Sequence, residues 1–298
     1  MNQGWAERDG NGHYWPAQPP GLPPSFYPTP ADPLVSPNFE GWWRRSFALA
    51  GRIWKPALTL QAILLVPMAA LVVPAGVVMS EQQEKLQKAT VARPGDLTPL
   101  ADFMTAVLGS VGLTFVAALI SMVATSITAR MVVLAATGQP VTLKAAAGTA
   151  LRRAHAVIGW QIVATLVAGV SLLACFLPVI YVAAVIMILP VVVTLERGTG
   201  LGRCFALFNA DLGTSVSRIA TIFGLNVAAS VVLGVIGAVL EVAVGGTTGA
   251  VAAGALNALY YLPAGVVLPP LLVTAYADMR ARREPFSTAY LAPVPQPA

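Results

Sequence analysis

The chain has 298 residues, 56% hydrophobic and 10% charged, with a mean hydropathy of +0.72 and a net charge of +5. Soluble domains carry roughly 25% charged residues, so this composition excludes an ordinary soluble enzyme, a disordered protein and a nucleic-acid-binding domain. It predicts a multispan membrane protein.

Nine prolines fall within residues 1–38. Their rings fix φ and remove backbone donors, so a disordered, partly polyproline-II cytoplasmic tail is expected there, with neither helix nor sheet. No cleaved signal peptide is expected, because the first apolar run starts only near Ala57. Residues 39–55 (FEGWWRRSFALAGRIWK) mix aromatic rings with Arg44, Arg45, Arg52 and Lys55, the pattern of an amphipathic helix in the headgroup zone.

A helix needs roughly 20 apolar residues to cross the hydrocarbon. Six such spans are predicted, at about 56–78, 103–126, 157–175, 177–195, 217–242 and 252–275. Between the first two lies a polar loop, Met79–Asp102, interrupted by Pro94-Gly95. Pro178 divides the uncharged stretch Val157–Leu195, and Gly245–Gly249 forms a flexible turn before span 6. The membrane domain thus covers 39–284, and a second Pro-rich tail covers 285–298.

Charge orients this array. With both termini cytoplasmic, 15 of the 18 Lys and Arg residues lie inside, and only Lys85, Lys88 and Arg93 lie outside. The positive-inside rule therefore predicts an N-in, C-in protein of the plasma membrane. Cys175 and Cys204 then fall near opposite faces, too far apart for a bridge. His13 and His155 are likewise too scattered for a metal site or a triad.

Arg45-Ser46-Phe47-Ala48-Leu49 matches Arg203-Cys204-Phe205-Ala206-Leu207 at four of five positions, each copy preceding an odd-numbered span. Leu143–Ala154 holds the same place before span 3. The expected fold is therefore all-α, with six transmembrane helices as three hairpins, each preceded by a cytoplasmic amphipathic helix.

The segments LPVVVTLERGTGLGRCFAL (189–207) and LLVTAYADMRARREPF (271–286) carry the most distinctive wording, above all Tyr276-Ala277-Asp278-Met279-Arg280. Together with the Pro-rich tail they resemble a bacterial, actinobacterial-type family of multispan proteins. It is named after the membrane domain of glycerophosphoryl diester phosphodiesterase. The resemblance covers about residues 39–292 and implies the six-span architecture. It does not imply hydrolysis, which in that family belongs to a separate barrel domain that is not expected within these 298 residues.

The chemistry-bearing residues gather at the inner ends of the spans. Arg44, Arg45, Glu196, Arg203, Asp278, Arg280 and Arg282 read either as anionic headgroup contacts or as helix-end ion pairs. No catalytic constellation, metal site or cofactor is expected. The expected partners are the lipid bilayer, anionic lipid, and a homo-oligomer or membrane partner, with no nucleic acid. The reading is a non-enzymatic scaffold or lipid-interacting membrane protein. The alternative is a small transporter or permease subunit with a site between spans 4 and 6, suggested by Pro178, Pro190, Pro263, Pro269 and Pro270.

Overall fold

A computed structural model describes residues 5–8, 14–16, 27–92, 97–174 and 176–291. His13, Pro94-Gly95, Cys175 and the prolines after 291 lie outside the described residues.

Among the described residues the chain is all-α apart from one short antiparallel pair, β1 (Trp5–Arg8) and β2 (Tyr14–Pro16), in which Trp5 pairs with Pro16 and Arg8 with Tyr14. This pair departs from the expectation of no sheet. Aromatic residues favour strands, and Pro16 sits at the strand end, where a missing N–H is tolerated. The helices are α1 (Phe39–Ala92), α2 (Thr98–Ala136), α3 (Leu143–Leu151), α4 (Ala154–Ala174), α5 (Phe176–Ile186), α6 (Leu189–Leu195), α7 (Leu201–Phe208), α8 (Leu212–Val244) and α9 (Gly246–Arg283). Six stretches among them are long and apolar enough to cross a membrane. The protein is therefore a multispan, all-α membrane protein.

Four helices run well past the predicted span ends. At 1.5 Å per residue α1 is about 81 Å long, so the interfacial segment, span 1 and most of the Met79–Asp102 loop form one continuous helix. No residue of that loop before Ala92 forces a break, and Glu84 and Lys88 form an i,i+4 pair along it. Span 4, by contrast, is broken. Pro190 lacks an N–H, and its ring would meet the carbonyl of Ile186, so α5 stops there and α6 begins at Leu189.

The chain divides into two compact units. Unit 1 holds residues 1–58, 122–224 and 265–298. Its core is dense. Trp42, Leu49 and Ile53 of α1 are buried, as are Met131 and Val132 of α2, most of α6, Leu207 and Phe208 of α7, and Tyr276 and Met279 of α9. Trp42 was expected among the headgroup aromatics with Trp43. It is instead fully buried, and its indole donates to the Leu271 carbonyl at 3.4 Å. The helical spacing Trp42, Ser46, Leu49, Ile53 places all four on one inward stripe. The two matching pentapeptides also turn the same positions inward, Ser46 and Leu49 in one and Cys204 and Leu207 in the other.

Residues 27–38 are not a free tail. Leu34, Val35 and Ser36 are buried, and Asp32 accepts from the Leu34 and Val35 amides at 2.9 Å each, an Asx turn. The other strap is the chain after α9, where Phe286 is fully buried and Thr288–Leu291 forms a single 3₁₀ turn. The straps join through Asp32: the Thr288 amide donates to Oδ2 at 2.9 Å and the Thr288 hydroxyl to Oδ1 at 2.5 Å. Backbone amides that proline leaves available are thus met by one carboxylate and one hydroxyl, which removes the reason to expect disorder there.

Unit 2 holds residues 59–121 and 225–264 and is far more open. Val66, Leu108, Val111, Val231, Val235 and Val239 all point outward, the exposure that a hydrocarbon surrounding would cover. Inside it, α8 turns into α9 through Gly245 and Gly246, with φ of +74° and +57°. The turn is tighter than the expected Gly245–Gly249 loop. A Cβ on Gly249 would lie 2.7 Å from the Glu241 carbonyl oxygen, so only glycine lets the helices approach this closely.

Candidate functional site

Besides the Asp32 strap, the described polar residues of unit 1 form three arginine–carboxylate nodes and one group of arginines that none of those nodes neutralises. The first node is built on Glu196, just after α6. Arg203 of α7 grips it with two hydrogen bonds, Nε to Oε2 at 2.7 Å and Nη2 to Oε1 at 3.1 Å. The Tyr276 hydroxyl donates to Oε1 at 2.8 Å, and Arg280 in turn donates to that hydroxyl at 2.8 Å. Glu284 bridges Arg203 at 2.7 Å and Arg280 at 2.5 Å. The guanidinium of Arg280 also lies over the rings of Phe286 and Tyr290, at 4.5 and 4.8 Å from their centroids, a cation–π arrangement.

Electrostatics follow from this packing. Burial disfavours ionisation of Glu284, but the hydrogen bonds and charges of Arg203 and Arg280 outweigh it and hold the carboxyl below the usual range. Burial likewise opposes the charge on Arg203, and Glu196 and Glu284 overcome it, raising its pKa. Beside them, burial pushes the Cys204 thiol up to about 12, helped by the Glu196 charge.

The second node is Asp278 in α9. Its carboxylate accepts from the Ser36 amide at 2.5 Å and the Ser36 hydroxyl at 2.7 Å, and Arg218 of α8 lies 2.7 Å away. Both charged side chains are at most 3% exposed, and Arg218 also lies 5.9 Å over the Trp42 ring. The third node is Asp211, which caps α8 by accepting from the Thr214 amide at 3.1 Å and pairs with Arg282. Burial raises its pKa, and Thr214 and Arg282 more than reverse this, so the net shift is downward.

Arg130, Arg153 and Arg197 form the fourth group. Arg153 Nη1 donates to the carbonyls of Val193, Thr194 and Glu196 at 2.9–3.3 Å, and Arg130 donates to that of Thr194 at 2.8 Å. These are the free carbonyls at the end of α6, where cations suit the helix dipole. Arg153, Trp160, Glu196, Arg197 and Thr199 line an open cleft of about 280 Å³. A second cleft, about 380 Å³, lies among Tyr27, Asp32, Thr137 and Thr288. Neither cleft has a lining residue from α9.

Of the residues singled out from sequence, Glu196, Arg203 and Arg280 meet in one network. Asp278 and Arg282 pair elsewhere, with Arg218 and Asp211. Arg45 donates to the Pro30 carbonyl at 2.8 Å, and Arg44 is exposed on α1. Arg218, Ser36, Asp211, Tyr276 and Glu284 were not singled out as site residues. The i,i+4 spacing of Arg280 and Glu284, and the Asp-x-x-Thr opening of α8, are signals that point to two of them. Among the described residues no three His, Cys, Asp or Glu side chains gather as a metal site would require. The chain matches no protein-family model, no curated protein and no solved structure.

Proposed function

We propose that the protein is a non-enzymatic, lipid-interacting scaffold of the plasma membrane, with both termini cytoplasmic. One observation carries this reading: the segregation of charge between the two units. The unit 1 ranges contain 15 Lys and Arg against 8 Asp and Glu, and the unit 2 ranges contain 3 against 5. Cytoplasmic segments of membrane proteins concentrate Lys and Arg, and each such cation near an anionic leaflet adds about 1 kcal/mol of attraction. The proposal includes membership of the multispan family named after the glycerophosphoryl diester phosphodiesterase membrane domain, which the wording of Tyr276–Arg280 resembles and which implies the six-span architecture.

Purified protein in nanodiscs tests the lipid reading: it retains phosphatidylglycerol in preference to phosphatidylcholine, and equal retention overturns the reading. A fluorescent protein that folds only in the cytoplasm, fused to either end, tests orientation. Both fusions fluoresce, and a dark, well-expressed fusion at either end refutes it.

A permease subunit is the second reading, and the break between α5 and α6 is the observation that favours it. It requires water at the break. Ile188→Cys in a Cys175→Ser, Cys204→Ser background then reacts with a water-soluble maleimide. Ile188 is fully buried, and a lack of reaction sets this reading aside.

A further inference from the structure

The arginines named from sequence as headgroup contacts are largely committed. Arg203 and Arg280 are held by Glu196 and Glu284, and Arg282 by Asp211. The positive charge facing an open space lies elsewhere, in the cleft of Arg153 and Arg197.

Four features of that cleft point to an anionic ligand. Arg153 is fixed through a single nitrogen, Nη1, to backbone carbonyls, which solvate its charge without cancelling it. Arg197 is exposed beside it, and their mutual repulsion adds to burial in holding the Arg153 guanidinium below its usual pKa. Glu196 is the acidic residue lining the cleft, and its carboxylate is engaged by Arg203 and Tyr276. Finally, the Thr199 hydroxyl is buried with no hydrogen-bond partner among the described residues, although it can both donate and accept.

The walls are set by backbone geometry. Gly198 adopts φ +70°, and a Cβ on Gly200 would overlap the Trp160 ring at 2.1 Å, so the Glu196–Gly200 loop lies flat against the indole only because it is glycine-rich. Trp160 itself is 37% exposed, as suits an indole at a membrane interface.

We propose that this cleft binds a phosphate group, held by the forks of Arg153 and Arg197 and the Thr199 hydroxyl. Guanidinium forks match the geometry of phosphate oxygens. The cleft volume falls just below the ~300–1,000 Å³ of sites that enclose whole small molecules, so the remainder of the ligand lies outside it, across Trp160. The inference rests on the lipid-interacting reading and identifies where that interaction occurs.

The test uses the full chain in phosphatidylcholine nanodiscs doped with phosphatidylglycerol, with retained lipid counted by native mass spectrometry. Arg197→Gln lowers phosphatidylglycerol retention about fivefold, the value of one cation near an anionic headgroup. Thr199→Val lowers it about tenfold, the value of one hydrogen bond to a charged group. The exposed control Lys85→Gln, among the few cations expected on the opposite face, leaves it unchanged. If the native chain prefers phosphatidylglycerol but neither cleft variant differs from the control, this site is wrong and the lipid reading stands. Should the native chain show no preference between the lipids, the lipid reading falls with it. Inorganic phosphate is the second probe. Competition with phosphatidylglycerol at millimolar concentration supports a phosphate site. Binding of phosphate without any lipid preference assigns the cleft to a soluble phosphate ester and overturns the lipid source. Loss of neither lipid nor phosphate in the cleft variants overturns the proposal.

Discussion

Replacing Asp278 with Asn isolates one charge in the most deeply buried polar node of unit 1. The Asn oxygen still accepts from the Ser36 amide and its NH2 group can donate to the Ser36 hydroxyl oxygen, so the main loss is the charged acceptor opposite Arg218, 2.7 Å away. The Arg218 side chain is 3% exposed and cannot reach water without unpacking α8 from α9. Breaking a buried pair by removing one partner costs about 3–5 kcal/mol, because the other charge stays buried. That corresponds to a shift of roughly two to three and a half orders of magnitude in the folding equilibrium. Unfolding in mixed micelles of mild detergent and dodecyl sulfate, followed by tryptophan fluorescence, measures it. The double variant Arg218→Met, Asp278→Leu removes both charges and keeps the volume. It is expected to be markedly more stable than the sum of the single variants, a coupling of several kcal/mol. An Asp278→Asn protein within about 0.5 kcal/mol of the native one, the size of an ordinary surface substitution, refutes the reasoning. So does a double variant whose loss equals the sum of the two singles.

Acid sensitivity follows from Glu284 and Asp211, whose folded-state pKa values are depressed below 4.5 and 3.8. Their contribution is present in full above those values and is lost as pH falls through the lower, folded ones. The thermal midpoint therefore declines below about pH 4.5; Glu284→Gln flattens that decline, and an unchanged pH profile contradicts the assignment. In a Cys175→Ser background, Cys204 stays unlabelled by maleimide at pH 8 until dodecyl sulfate is added, because its thiol pKa of about 12 leaves almost no thiolate; rapid labelling of folded protein refutes the burial. In unit 2, Gly249→Ala sets a methyl against the Glu241 backbone and costs about 1–3 kcal/mol. Gly234→Ala, with nothing within 4 Å, instead stabilises helix α8 by about 0.5–1 kcal/mol; equal effects of the two in a thermal-stability assay contradict the close packing.

The spans were legible because each is an uninterrupted apolar run, a local property that needs no knowledge of tertiary partners. Their ends were not. Helix α1 continues through Glu81, Glu84, Lys85 and Lys88, since charged residues are good helix formers and nothing before Ala92 stops the helix. The break before Leu189 was readable in Pro190, whereas α9 passes through Pro263, Pro269 and Pro270 as a single helix. Near that last pair the Thr274 hydroxyl donates to the Pro270 carbonyl at 2.9 Å, one way in which membrane helices accommodate proline. The candidate site was partly legible. That Glu196, Arg203 and Arg280 gather at the ends of spans follows from hydropathy alone, but the partner of Asp278 does not. Arg218 lies 60 positions earlier and Ser36 lies 242 positions earlier, and the Pro-rich strap around Ser36 reads as spacer until its amides find acceptors.

The long reach of that strap bears on biogenesis. Ser36 leaves the ribosome 242 residues before Asp278, an interval of about 12–48 s at 5–20 residues per second. Throughout that time Ser36 lacks the carboxylate it donates to, and Arg218, once made, has no acid to meet it. Unit 1 therefore closes only after α9 and the strap that follows it have been made. A chain stalled or cut before Asp278 carries Arg218 without its acid at the end of a span, the kind of feature by which quality-control machinery can tell an incomplete membrane protein from a finished one.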